Sequence, residues 1–114
     1  MYDGGAGGYD WALFAATNQP KFDVVDSASN DNIVNGGSND IPDSTWTFLC
    51  GTYDGSTIYL YKNNAVQIGS LSVSMTRATA NVHLTVGSYA GGNYLDGKID
   101  DVRIYNRALS ASEI

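Results

Sequence analysis

Apolar residues in this chain come in short alternating runs, and each run is soon cut off by Gly, Pro, Asn or Asp. Ile58 and Leu60 alternate with Tyr59 and Tyr61, and Leu71, Val73 and Met75 alternate with Ser72, Ser74 and Thr76. Val82, Leu84 and Val86 alternate with His83 and Thr85. A period of two collects side chains on one face of an extended chain, whereas an amphipathic helix needs a period near 3.6. The acids agree: of twelve Asp and Glu, only Glu113 is a Glu, and Asp favours turns and caps over helix surfaces. Thirteen Gly and eight Tyr add turn formers and strand formers. The pattern predicts an all-β chain, an antiparallel β-sandwich or jelly roll, with one short helical turn at the tail.

Met1 to Gly8, with four Gly, reads as a loop. Asp10 to Ala16 is the first expected strand, with Trp11, Leu13 and Ala15 on one face. Asn18-Gln19-Pro20 breaks it, Lys21 to Asp26 is the second, and Ile33-Val34 is only a brief apolar touch. Trp46 to Tyr53 is a strand stopped by the turn pair Asp54-Gly55. Thr57 to Lys62 follows, then an Asn63-Asn64 turn and a return along Ala65 to Ile68. Asn81 to Tyr89 and Lys98 to Asn106 complete the expected strands, with the Gly-rich loop Ala90 to Asn93 between them. Ser110 to Glu113 has capping-box spacing and predicts the helical turn.

A length of 114 residues is one domain's worth, and a formal net charge of -6 disfavours nucleic acid and anionic membrane as partners. The longest apolar run, Trp11 to Ala16, is far short of the ~20 residues of a membrane span. No basic, then apolar, signal segment opens the chain. The single Cys50 has no neighbouring cation or His to activate it and reads as a small core residue.

Two blocks carry a resemblance. Trp46-Thr47-Phe48-Leu49-Cys50-Gly51-Thr52-Tyr53-Asp54-Gly55 and Gly97-Lys98-Ile99-Asp100-Asp101-Val102-Arg103-Ile104-Tyr105-Asn106-Arg107-Ala108-Leu109-Ser110 are similar to motifs of the laminin G-like group of the concanavalin A-like lectin/glucanase superfamily. The resemblance implies a single domain over residues 1–114, lacking the family's front strands, with Trp11 and Trp46 in the core. It implies a module of a larger secreted or cell-surface protein.

The superfamily's glycosidases use paired Glu residues flanking one glycosidic bond, and a chain whose one Glu is Glu113 has no such pair. Asp100 and Asp101 are adjacent and would point to opposite faces of a strand. The expectation is a non-catalytic protein. By the resemblance, Asp100 matches a ligand of a structural Ca²⁺, the alternative being a carboxylate that opens a strand and bonds a nearby loop. Tyr89, Asn93 and Tyr94 flank the Gly-rich loop and suit a sugar-binding rim of aromatic faces and amides, the competing reading being sheet packing. Carbohydrate is thus the expected ligand, the other function being adhesion to an extracellular protein without sugar specificity. Without front strands, the 98–106 strand would expose an unpaired apolar edge, which predicts a homo-oligomer formed through it.

Overall fold

The computed structural model describes residues 9–79, 83–89 and 93–114. Its elements are β1 (Trp11–Ala16), β2 (Gln19–Val25), β3 (Asp31–Asn35), β4 (Leu49–Tyr53), β5 (Thr57–Lys62), β6 (Val66–Ser72), β7 (Ser88–Tyr89) and β8 (Asn93–Tyr94). They form two three-stranded antiparallel sheets, β1-β2-β3 and β4-β5-β6, and a two-stranded ladder, β7-β8. The fold is all-β, as the alternation predicts, and two sheets packed face to face make the sandwich. The expected loop Met1 to Gly8, Val82 and most of the loop Ala90 to Asn93 lie outside the described residues.

Alternation builds the core. Phe22, Val24 and Val34 on the first sheet meet Ile58 and Leu60 on the second, with Tyr53, Ile68, Val73 and Met75 packed against them. Two glycines let the sheets close: a Cβ at Gly51 would lie 2.4 Å from the Phe22 ring, and one at Gly69 would lie 2.6 Å from Val34. The turns are those the residues ask for. Gly55 takes φ +99° after Asp54, whose Oδ1 accepts from the Ser56 and Thr57 amides at 2.8 Å. Those amides, with the Ser56 hydroxyl, hold the Asp54 carboxyl below the usual range. Between the sheets, the long β3–β4 connection is pinned by Asp40, which accepts from Lys62 Nζ and from the Gly37 amide. After β6 the chain crosses back, where Ser27 and Ala78 amides bond the Thr76 and Val25 carbonyls.

Several expectations need correction. Pro20 does not break the chain; it is buried inside β2, and the β1–β2 turn is only Thr17-Asn18. Ile33-Val34 belongs to a full strand, β3, because Asp26 caps the preceding turn through the Ala28 and Asn30 amides. The strand expected from Trp46 begins at Leu49. Trp11 and Trp46 are not core: they are 37% and 67% exposed. Of the strand expected over 81–89, the described residues pair only at Ser88–Tyr89, and Leu84 and Val86 are exposed. Lys98 to Asn106 forms no strand and is exposed throughout. At the tail, the Glu113 amide bonds the Ser110 carbonyl and the Glu113 carboxylate reaches back to the Ser110 amide, one turn and no helix.

Candidate functional site

The β7–β8 ladder pairs Tyr89 with Asn93 and Ser88 with Tyr94, so the backbone of Tyr89, Asn93 and Tyr94, the residues expected at a sugar-binding rim, lies in one hairpin. Gly87, at φ +79°, turns the chain into the ladder, and its carbonyl accepts the Leu95 amide at 2.9 Å. Tyr94 is the most exposed large aromatic among the described residues, at 78%. Asn93 is exposed beside it, yet successive strand residues face opposite ways, so the amide and the phenol serve different faces. The hairpin therefore offers an open phenol face on the side it shares with Ser88.

A second feature lies on the outer face of the β4-β5-β6 sheet. Tyr59 and Tyr61 alternate outward from β5 and stack at 6.0 Å between ring centroids, 29° from parallel. Opposite them on β4 stand Thr52 and Cys50. Residues Ala108 to Ser110 lie against this face and with Thr52, Asp54 and the two tyrosines enclose a groove of about 310 Å³. Burial raises the Tyr61 phenol and the Cys50 thiol above their ordinary values, which keeps both protonated and unreactive. The tail is tied by a fork from Arg107 to Glu113, at 2.9 and 2.7 Å. That guanidinium, with the Ser110 amide and hydroxyl, lowers the Glu113 carboxyl to about 2. Period-two reading of Tyr59 and Tyr61 marks the outward face in the sequence; the chain segment that covers it does not announce itself there.

A third feature was missed in the sequence because Trp46 reads as core. Trp46, Phe48, Asn63, Asn64 and Ile114 line an open groove of about 430 Å³.

Asp100 is exposed, and its Oδ1 accepts the Asp101 amide at 2.8 Å. Among the described residues no group of three or more His, Cys, Asp or Glu gathers as a metal site. Calcium takes six to eight oxygens, so backbone carbonyls and water would have to supply most of them around Asp100. His83 is exposed, as expected, but lies outside any strand. Arg103 forks onto Asp101 at 2.9 and 3.0 Å. Among the described residues the buried acid is Asp23, which accepts from the Tyr9 hydroxyl at 2.7 Å and the Asn32 amide at 2.9 Å. Burial raises its carboxyl above the ordinary value, against the pull of those donors.

Comparison with known proteins adds two findings. A laminin G-like family model, described as the concanavalin A-like lectin/glucanases superfamily, matches residues 1–114. The crystal structure of part of an S-layer domain-containing protein from Clostridium thermocellum is similar, with 26% identity and a TM-score of 0.47. The match covers 99% of this chain and 57% of that one, so the chain spans little more than half of that structure. No curated protein matches the chain.

Proposed function

The chain belongs to the laminin G-like group of the concanavalin A-like lectin/glucanase superfamily, and from that premise we propose that it is a non-catalytic, glycan-binding module of a secreted or cell-surface protein. The observation that supports glycan binding is the Tyr94 ring, open to solvent on a hairpin rim. A sugar ring stacks its C–H face on such an aromatic and takes hydrogen bonds from hydroxyls and amides at its edge. Ser88 shares the Tyr94 face and offers such a group. The test is affinity electrophoresis and calorimetry of the chain against a panel of neutral polysaccharides. Binding that falls about tenfold in Tyr94→Ala supports the reading, and no binding to any glycan overturns it.

A second reading, adhesion to protein, is favoured by a different observation. Ile99, Val102, Ile104 and Tyr105 are exposed along one segment, an apolar strip of the kind that meets another chain. In this reading the first partner is a second copy. Calcium at Asp100 is a separate proposal, resting on the closing motif rather than on a gathered donor set.

A further inference from the structure

We propose that the groove between Trp46, Phe48 and the Asn63-Asn64 turn is a second carbohydrate site, which takes the apolar face of a neutral pyranose. It rests on the glycan-binding reading for its ligand class and on its own geometry for its place. Residues 46 and 48 lie two apart on the segment that leads into β4, and both rings stand in water, at 67% and 50% exposed. Both rings line one groove, and exposed aromatic faces of this kind are what an apolar ligand face stacks on.

The platform is anchored. Phe48 donates its amide to Asn63 Oδ1 at 2.9 Å and accepts the Asn63 amide at 3.2 Å, so the aromatic pair and the turn are held together. The turn itself is unusual. Asn63, Asn64 and Ala65 occupy positive φ in succession, at 27°, 51° and 58°. Asn tolerates that region through local hydrogen bonding, but Ala has no such help. The short β5–β6 connection calls for that conformation, and it brings Asn63 and Asn64 to the aromatic groove.

The lining selects the ligand. An indole, a phenyl ring, Ile114 and two carboxamides line it, which together match a pyranose with its C–H face and rim of hydroxyls. Among the described residues no Asp, Glu, Lys or Arg side chain lines the groove, and the chain's net charge of -6 disfavours uronate or sialate chains. At about 430 Å³ the groove falls within the ~300–1,000 Å³ of small-ligand sites.

The chain has two Trp, so Trp11→Phe leaves Trp46 as the only indole reporter. That variant would be titrated with tetrasaccharides of cellulose, xylan and mannan, followed by Trp46 emission. The expected result is a saturable emission shift with at least one of them. By calorimetry, Trp46→Ala should weaken binding about tenfold, Trp46→Phe should restore most of it, and Tyr94→Ala should leave this site in place. Trp46 is mostly exposed, so an unchanged melting temperature will show that Trp46→Ala still folds. Sugar binding with silent Trp46 emission, abolished by Tyr94→Ala, overturns this site and leaves the proposed function standing. Absence of binding to all three sugars overturns this site, while the wider polysaccharide panel decides the proposed function separately. An emission shift that follows protein concentration without sugar assigns the groove to a contact between copies and overturns the proposal as well.

Discussion

Gly51 on β4 lies directly under the ring of Phe22 on β2, with a hypothetical Cβ only 2.4 Å from Cγ and 2.5 and 2.6 Å from the two Cδ atoms. The contact joins the two sheets at the edge of the core, and only a residue without a side chain lets the ring lie flat there.

Gly51→Ala should therefore destabilise the domain by about 1–3 kcal/mol, the usual cost of forcing a methyl into a packed core. The added atom meets the base of a buried ring, which cannot swing away as a flexible chain end could. Phe22→Leu would cost stability alone by leaving a void, but in the Gly51→Ala background part of that void is filled. Urea denaturation of the four proteins should give a double-mutant cycle in which the two losses sum to more than the double variant shows. Strict additivity would mean that the sheets do not touch at this point.

Asp23 sets a pH dependence. Its carboxylate is wholly buried, and burial raises its folded-state pKa above the ordinary 3.8. The folded chain then holds a proton that the unfolded chain has lost. Stability supported by that proton is full below 3.8 and is lost as pH rises through the folded-state value. Asp23→Asn removes the titration, so the stability of the native chain relative to this variant should fall as pH rises above the ordinary carboxylate value and level off once the folded-state carboxyl has lost its proton. Asp40 runs the other way, since Lys62 and the Gly37 amide lower it, so its contribution is lost as pH falls below the ordinary range. The comparison with Asp23→Asn isolates the first effect. A difference curve that rises with pH would contradict the burial argument.

How much of this was legible in the sequence depends on how local the cause is. Tyr59 and Tyr61 share the outer face of β5, where the tail segment helps bury Tyr61, while Ile58 and Leu60 enter the core, as strict alternation requires, because one strand decides it. The Asp54-Gly55 turn is equally local, a side-chain oxygen capping its own chain and a Gly at positive φ. Pro20 misleads because its missing donor is tolerated next to a turn, where its carbonyl still accepts the Gly36 amide at 2.9 Å. Trp11 and Trp46 mislead for another reason: alternation groups residues on a face and is silent about which face is covered. Asn93 and Tyr94 stand out in the sequence because they flank a Gly-rich loop, but their placement on opposite faces follows from the two-residue ladder, whose register no local signal announces.

Calcium can be tested without a ligand in hand. A cation held through Asp100 would bind only the folded chain and raise its melting temperature with concentration, by mass action. If the closing motif carries such a site, millimolar Ca²⁺ should raise the melting temperature, chelator should reverse the rise, and Asp100→Asn should abolish it. A melting temperature indifferent to Ca²⁺ and to chelator would remove the site.

Self-association follows from the segment after the hairpin. Ile99, Val102, Ile104 and Tyr105 are each about half exposed, and the 98–106 segment forms no strand with the rest of the chain. Positive charge is the usual guard of such a strip, and here it amounts to Lys98 and Arg103. Arg103 is already forked onto Asp101, which cancels much of its charge toward an approaching chain. A two-fold pairing would lay the strip against itself, cover it on both copies and close without building fibres. Four apolar side chains fall short of the ~20–30 residues a side of a stable interface, so the dimer should be weak and in exchange. Sedimentation velocity should show a sedimentation coefficient rising with concentration across the micromolar range. The double substitution Val102→Asp and Ile104→Asp, on exposed positions that hold no core, should return the chain to a monomer with its melting temperature nearly unchanged. A native chain that stays monomeric at every concentration would show that the strip does not pair copies, and the second-copy reading would fall.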